Sequence, residues 1–153
     1  MEGNYKKMKK LFKNAALLTL CAVTFVGCAS KVDFATFKSK AEEALNKTCE
    51  YTKAKVKGSI KSGDTTTTID FEATVKDHLV YTTDVKYIAY CTAIDAASLA
   101  TAAATDLTDS GYTYYAGSSF KATSSTETYE WNEYGLLTSY AKDSSNITIS
   151  YSK

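Results

Sequence analysis

No arginine and no glutamine occur among the 153 residues, proline is absent too, and there is one histidine. Each gap removes a class of chemistry. Without arginine there are no bidentate clamps for phosphate or carboxylate groups. A single histidine, His78, leaves no Ser-His-Asp arrangement and no multi-histidine metal site. His78 lies beside Asp77 and reads as a solvated turn residue. The seven glycines are scattered at turns, so no Gly-rich phosphate loop is present. From Ala15 to Val26 no residue is charged, giving twelve mostly apolar positions. A helix crossing a bilayer core needs about 20 apolar residues, so this run is too short to span. The joint lack of Arg, Pro and Gln suggests an AT-rich coding bias.

What is present begins with charge. Lys6, Lys7, Lys9, Lys10 and Lys13 precede the apolar run, which ends at Phe25-Val26-Gly27-Cys28. A basic segment, an uncharged stretch of roughly 7–15 residues and a small residue make a secretory signal. Phe25-Val26-Gly27-Cys28 resembles the lipobox of bacterial lipoproteins, with Phe25 in place of the usual leucine. The resemblance implies diacylation of Cys28 and cleavage before it. Two acyl chains, at about 0.8 kcal/mol per buried methylene, hold a protein stably where one does not. The expected organisation is a signal peptide over 1–27, a lipidated tether over 28–32 and a single domain over 33–153. The expected location is the extracytoplasmic face of the cell membrane, reached through diacylglyceryl-Cys28.

The net charge of +1 changes once residues 1–27 are removed. Thirteen lysines then face sixteen acids, or −3. A mildly acidic domain with no basic stripe argues against nucleic acid as a partner. Cys49 and Cys91 remain in a chain expected to be exported, where disulfides persist. Pairing them would close a loop of about 40 residues, worth around 4 kcal/mol in the chain-entropy model. The alternative is two separate buried thiols.

Asp33 is a plausible N-cap for an amphipathic helix carrying Phe34, Phe37, Ala41, Ala44 and Leu45 on one side. The expected length is about 18 residues, ending near Thr52. The period then switches from 3.6 to 2. Ala54, Val56, Gly58 and Ile60 alternate with lysines and Ser59, and Ser62-Gly63-Asp64 turns the chain. Thr67, Ile69, Phe71, Ala73 and Val75 alternate with polar residues on the return strand. The hairpin has one apolar face, and its lysines can oppose Asp70 and Glu72. Lys76-Asp77-His78 leads into a third strand, Leu79–Thr83. The Ala- and Leu-rich stretch that follows predicts a second helix from Val85 or Thr92 to Leu107. Short strands are expected at Tyr112–Tyr115, Phe120–Thr123, Glu127–Trp131, Leu136–Ala141 and Ile147–Tyr151.

These elements predict an α+β fold, with an N-terminal helix packed on a curved antiparallel sheet and a second Ala-rich helix in the middle. The element order loosely resembles the half-barrels of lipoprotein carriers (LolA-like) and, more weakly, the cystatin-like folds. No functional residue is carried over from either.

Aromatic residues are the positive anomaly. Tyr112, Tyr114, Tyr129, Trp131 and Tyr140 crowd the C-terminal third. Lining a concave sheet face, they would form an apolar pocket with polar tips for a lipid or other amphiphile. Otherwise they fill the sheet–helix core. Three functions follow: a non-enzymatic lipoprotein holding such a ligand, a structural or interaction lipoprotein with none, and a hydrolase using Glu130 and Glu133. The first is the leading expectation and the second its alternative. No cofactor and no metal are expected, since Asp106 and Asp109 lack the alternating-acid spacing of a calcium loop.

Overall fold

The computed structural model describes residues 29–106 and 111–153. The expected signal peptide over 1–27, Cys28 and Asp109 lie outside the described residues. The fold is α+β, built on a large open antiparallel sheet with few helices.

Nine strands are seen among the described residues: β1 Ser30–Val32, β2 Lys53–Ser62, β3 Thr65–Lys76, β4 Leu79–Tyr81, β5 Thr113–Ala116, β6 Phe120–Thr123, β7 Glu127–Trp131, β8 Leu137–Lys142 and β9 Ser145–Ser152. Their order across the sheet is β1-β5-β6-β7-β8-β9-β2-β3-β4. Two meanders therefore meet where the last strand, β9, pairs with β2. Ser30–Val32, expected as free tether, is instead the edge strand beside β5.

Helix α1 runs Phe34–Leu45 and starts where Asp33 was expected to cap it: the Asp33 carboxylate accepts the Thr36 N–H at 2.7 Å. It is twelve residues long, ending well before Thr52. Thr52 cannot stay helical because its N–H donates to the Ser152 carbonyl and its own carbonyl accepts from Val75. Phe37, Ala41 and Ala44 bury one face of α1 against the sheet.

The β2–β3 hairpin follows its alternation. Ala54, Val56 and Ile60 stand opposite Ala73, Phe71 and Thr67, and Gly58 stands opposite Ile69. The buried residues of both strands share one face, and Lys53, Lys55, Lys57, Asp70, Glu72 and Thr74 share the other. Gly58 has a second reason to be there. A Cβ at this position would lie 2.1 Å from the Asn146 carbonyl oxygen of β9. The β3–β4 turn places Asp77 and His78 at φ 52° and 64°, the paired left-handed residues of a two-residue hairpin turn. His78, expected to be solvated, is half-buried, and its Nε2 is buried.

The Ala-rich segment is broken. Helix α2 spans Ile88–Ala96, a single turn α3 follows at Leu99–Thr101, and a π-turn covers Ala102–Asp106. The break has a cause in the sheet. The Ala97 carbonyl accepts from Trp131 Nε1 at 2.8 Å, and the Leu99 N–H donates to the Gly135 carbonyl at 3.1 Å. Both bonds take backbone groups that a continuous helix would use itself.

Candidate functional site

The sheet has two faces, and each carries a cluster. On the inner face, register sets a row that runs Tyr114, Ala122, Tyr129, Tyr140, Ile147 across five strands. A slip between Glu130 and Trp131 in the β7–β8 pairing keeps Leu137 beside Trp131 while Tyr140 stays beside Tyr129. Ala122, fully buried, leaves space between the two tyrosine rings. Tyr129 lies parallel to Trp131 at 5.6 Å and against Tyr140 at 4.8 Å. Phe37 of α1 closes the cluster from above, 5.2 Å from Tyr114 and 6.1 Å from Trp131. Tyr112 joins at 6.5 Å from Tyr114.

All five aromatic residues singled out in the sequence thus belong to one cluster, together with Phe34 and Phe37, which were read only as helix packing. Trp131 is 1% exposed, and Tyr114 and Tyr140 are also buried. Their ring faces are largely occupied by one another, at the separations expected of packed aromatic pairs.

The sequence reading missed the polar end of this cluster. Glu127 accepts hydrogen bonds from the hydroxyls of Tyr112 and Tyr140, and Lys142 Nζ lies 3.9 Å from it. The period-2 spacing Glu127, Tyr129, Trp131 carried that signal. Burial, then the neighbouring Tyr129, drives the Tyr140 hydroxyl far above its ordinary range. Burial does the same to Tyr151, whose hydroxyl donates to the Leu137 carbonyl at 2.6 Å. Neither phenol is a proton acceptor at neutral pH.

Glu130 faces the outer side, 3.6 Å from Lys121; burial raises its pKa, partly offset by that lysine. Glu133 is exposed in the β7–β8 turn. Cys49 is half-buried and Cys91 buried, and both thiols are free. Burial, then the Asp95 carboxylate, pushes the Cys91 thiol up to about 11, so little of the thiolate needed for disulfide exchange exists near neutral pH. Among the described residues no three His, Cys, Asp or Glu side chains gather as metal ligands. Among the same residues no helix is long and apolar enough to cross a membrane.

The outer face is hydroxyl-rich and charged. Lys55 Nζ meets Asp70 at 2.8 Å and Glu72 at 3.9 Å, the cross-strand pairing expected from the hairpin. A groove of about 540 Å³ crosses β4, β3, β2 and β9 at one end of this face. Among the described residues the large apolar side chains left exposed are Leu79 and Tyr81 of β4, Tyr81 lining the groove, and Val85 and Ile88 in the segment that follows, with Val85 84% exposed.

Comparison with protein-family models, with curated proteins and with solved structures finds no match to this chain.

Proposed function

We propose that this chain is a bacterial cell-envelope lipoprotein, held at the membrane through diacylglyceryl-Cys28, whose domain is a non-enzymatic binding module. Its sheet is a half-barrel closed on the inner side by α1, and its working surface is the outer face near β4. The observation that carries this reading is the segregation of exposed apolar side chains. Leu79 and Tyr81 on the edge strand β4, and Val85 and Ile88 in the segment that follows it, all fall within ten residues. Apolar side chains grouped in this way mark interaction surfaces, whereas scattered ones need no explanation. The filled inner cluster supports the same choice, because rings packed on one another leave little apolar wall for a lipid.

Photo-crosslinking from position 85 in intact cells tests the surface. A discrete adduct that disappears in Ile88→Lys is expected; recovery of the monomer alone refutes the surface reading. Lipid co-purifying with the domain after gentle extraction would move the site to the inner cluster instead.

A further inference from the structure

Resting on the reading of the outer face as the working surface, we propose that the groove across β4, β3, β2 and β9 binds a short acidic saccharide. Strand register builds it in two parallel rows. Tyr81, Thr74, Lys53 and Ser152 stand side by side in one row, and Glu72, Lys55 and Ser150 in the next. With strands spaced about 4.8 Å apart, four of them give a floor roughly 15 Å across. The volume of about 540 Å³ lies within the usual range for small-ligand sites.

The lining chemistry selects the ligand class. Threonine and serine hydroxyls each donate and accept, which matches the hydroxyls of a sugar ring better than an acyl chain. Tyr81 supplies the apolar element. Its side chain is on the same face as Thr74 and is 44% exposed, so its ring offers a platform for the C–H face of a pyranose.

Charge selects among saccharides. Lys55 is engaged by Asp70 and Glu72, whereas Lys53 makes no ion pair with any described residue. Lys53 lies between Thr74 and Ser152, within the row that starts at Tyr81, so a carboxylate on a ring stacked along that row would reach it. Glu72 is largely solvent-exposed in the adjoining row and repels a densely charged polyphosphate. A sugar ring whose hydroxyls meet the lining serines and threonines while its carboxylate meets Lys53 therefore fits the groove. No arginine is present to clamp phosphates.

The test is calorimetric titration of the full chain in detergent with oligogalacturonate, with maltotetraose as the neutral counterpart. Oligogalacturonate should bind more tightly than maltotetraose. Tyr81→Ala should weaken both by about tenfold, while Lys53→Ala should weaken the acidic probe by about tenfold and leave the neutral one unchanged. Both positions are exposed, so unchanged circular dichroism and melting temperature should accompany the loss. The proposal is overturned if neither saccharide binds, or if binding ignores both substitutions. It is also overturned if single-stranded DNA competes through Lys53 where the saccharides do not. A chain that still crosslinks to a partner from position 85 but ignores both saccharides keeps its surface reading and loses the glycan assignment.

Discussion

Asp95 on α2 turns its carboxylate to the sheet edge, where it accepts the Val80 N–H of β4 at 2.8 Å. That bond covers a backbone donor which the edge strand would otherwise leave open. Burial raises the Asp95 pKa to about 6, partly offset by the Val80 hydrogen bond, against an ordinary value of 3.8. The folded state therefore holds its proton more tightly than the unfolded chain does. Stability falls as pH rises from about 4 to about 6, and above that range the full cost of the buried charge is present. Asp95→Asn keeps an oxygen to accept from Val80 and removes the charge. It should stabilise the protein by about 1 kcal/mol at pH 7, allowing for solvent screening of a half-buried group, and have almost no effect at pH 3. Urea melts at the two pH values check this; an equal effect at both would refute it. Gly58→Ala acts at the same scale for a steric reason. The added methyl meets β9 backbone, which cannot move aside as a side chain can, so a loss of about 2–4 kcal/mol is expected in denaturant unfolding.

At the level of elements, the bond from Trp131 to the Ala97 carbonyl ties the middle of the sheet to the end of α2. Trp131→Phe removes the indole N–H, leaves that carbonyl unpaired and opens a small cavity. A loss of about 2–3 kcal/mol should follow, with faster amide exchange at Leu99 and Ala102 than in the rest of the domain. If exchange rose evenly across the domain, the tie would be a packing contact and nothing more. The β2–β3 hairpin depends less on any one partner, because its pairing runs from Lys53–Thr74 to Ser62–Thr65 without a slip. Its alternation alone specifies which face is buried, since a one-residue slip of β3 would turn Ile69, Phe71 and Val75 to the outer face together.

The whole molecule closes through its last strand. β9 pairs with β2 from Lys53–Ser152 to Ser59–Asn146, joining positions roughly a hundred residues apart. Such non-local pairing makes folding slow and dependent on the complete chain. Ending the chain before Ser145 would split the sheet between β8 and β2 and expose the Val56 and Tyr140 faces. That truncation should give no cooperative melt. At the same scale, the proposed anchor predicts that Cys28→Ala moves the protein from the membrane to the soluble fraction. Labelled palmitate should enter the parent chain and not the variant; membrane retention of the variant, with no label in the parent, would end the lipoprotein reading.

Elements whose pattern is local were legible in the chain. Alternation and turn residues located eight of the nine strands seen among the described residues, with short errors at their ends, and the Asp33 cap and apolar stripe located α1, because side-chain direction follows backbone period. Which strands lie side by side was settled by long-range packing. That brought Tyr112 and Tyr140 to Glu127, drew Ser30–Val32 into the sheet edge, and laid Tyr81 in a row with Lys53 and Ser152. It also broke the Ala-rich helix, whose propensity favoured a continuous run, because Trp131 and Gly135 offered its backbone other partners. Strand order depends on contacts between residues far apart in the chain, and a local pattern carries no record of which distant edge it will meet.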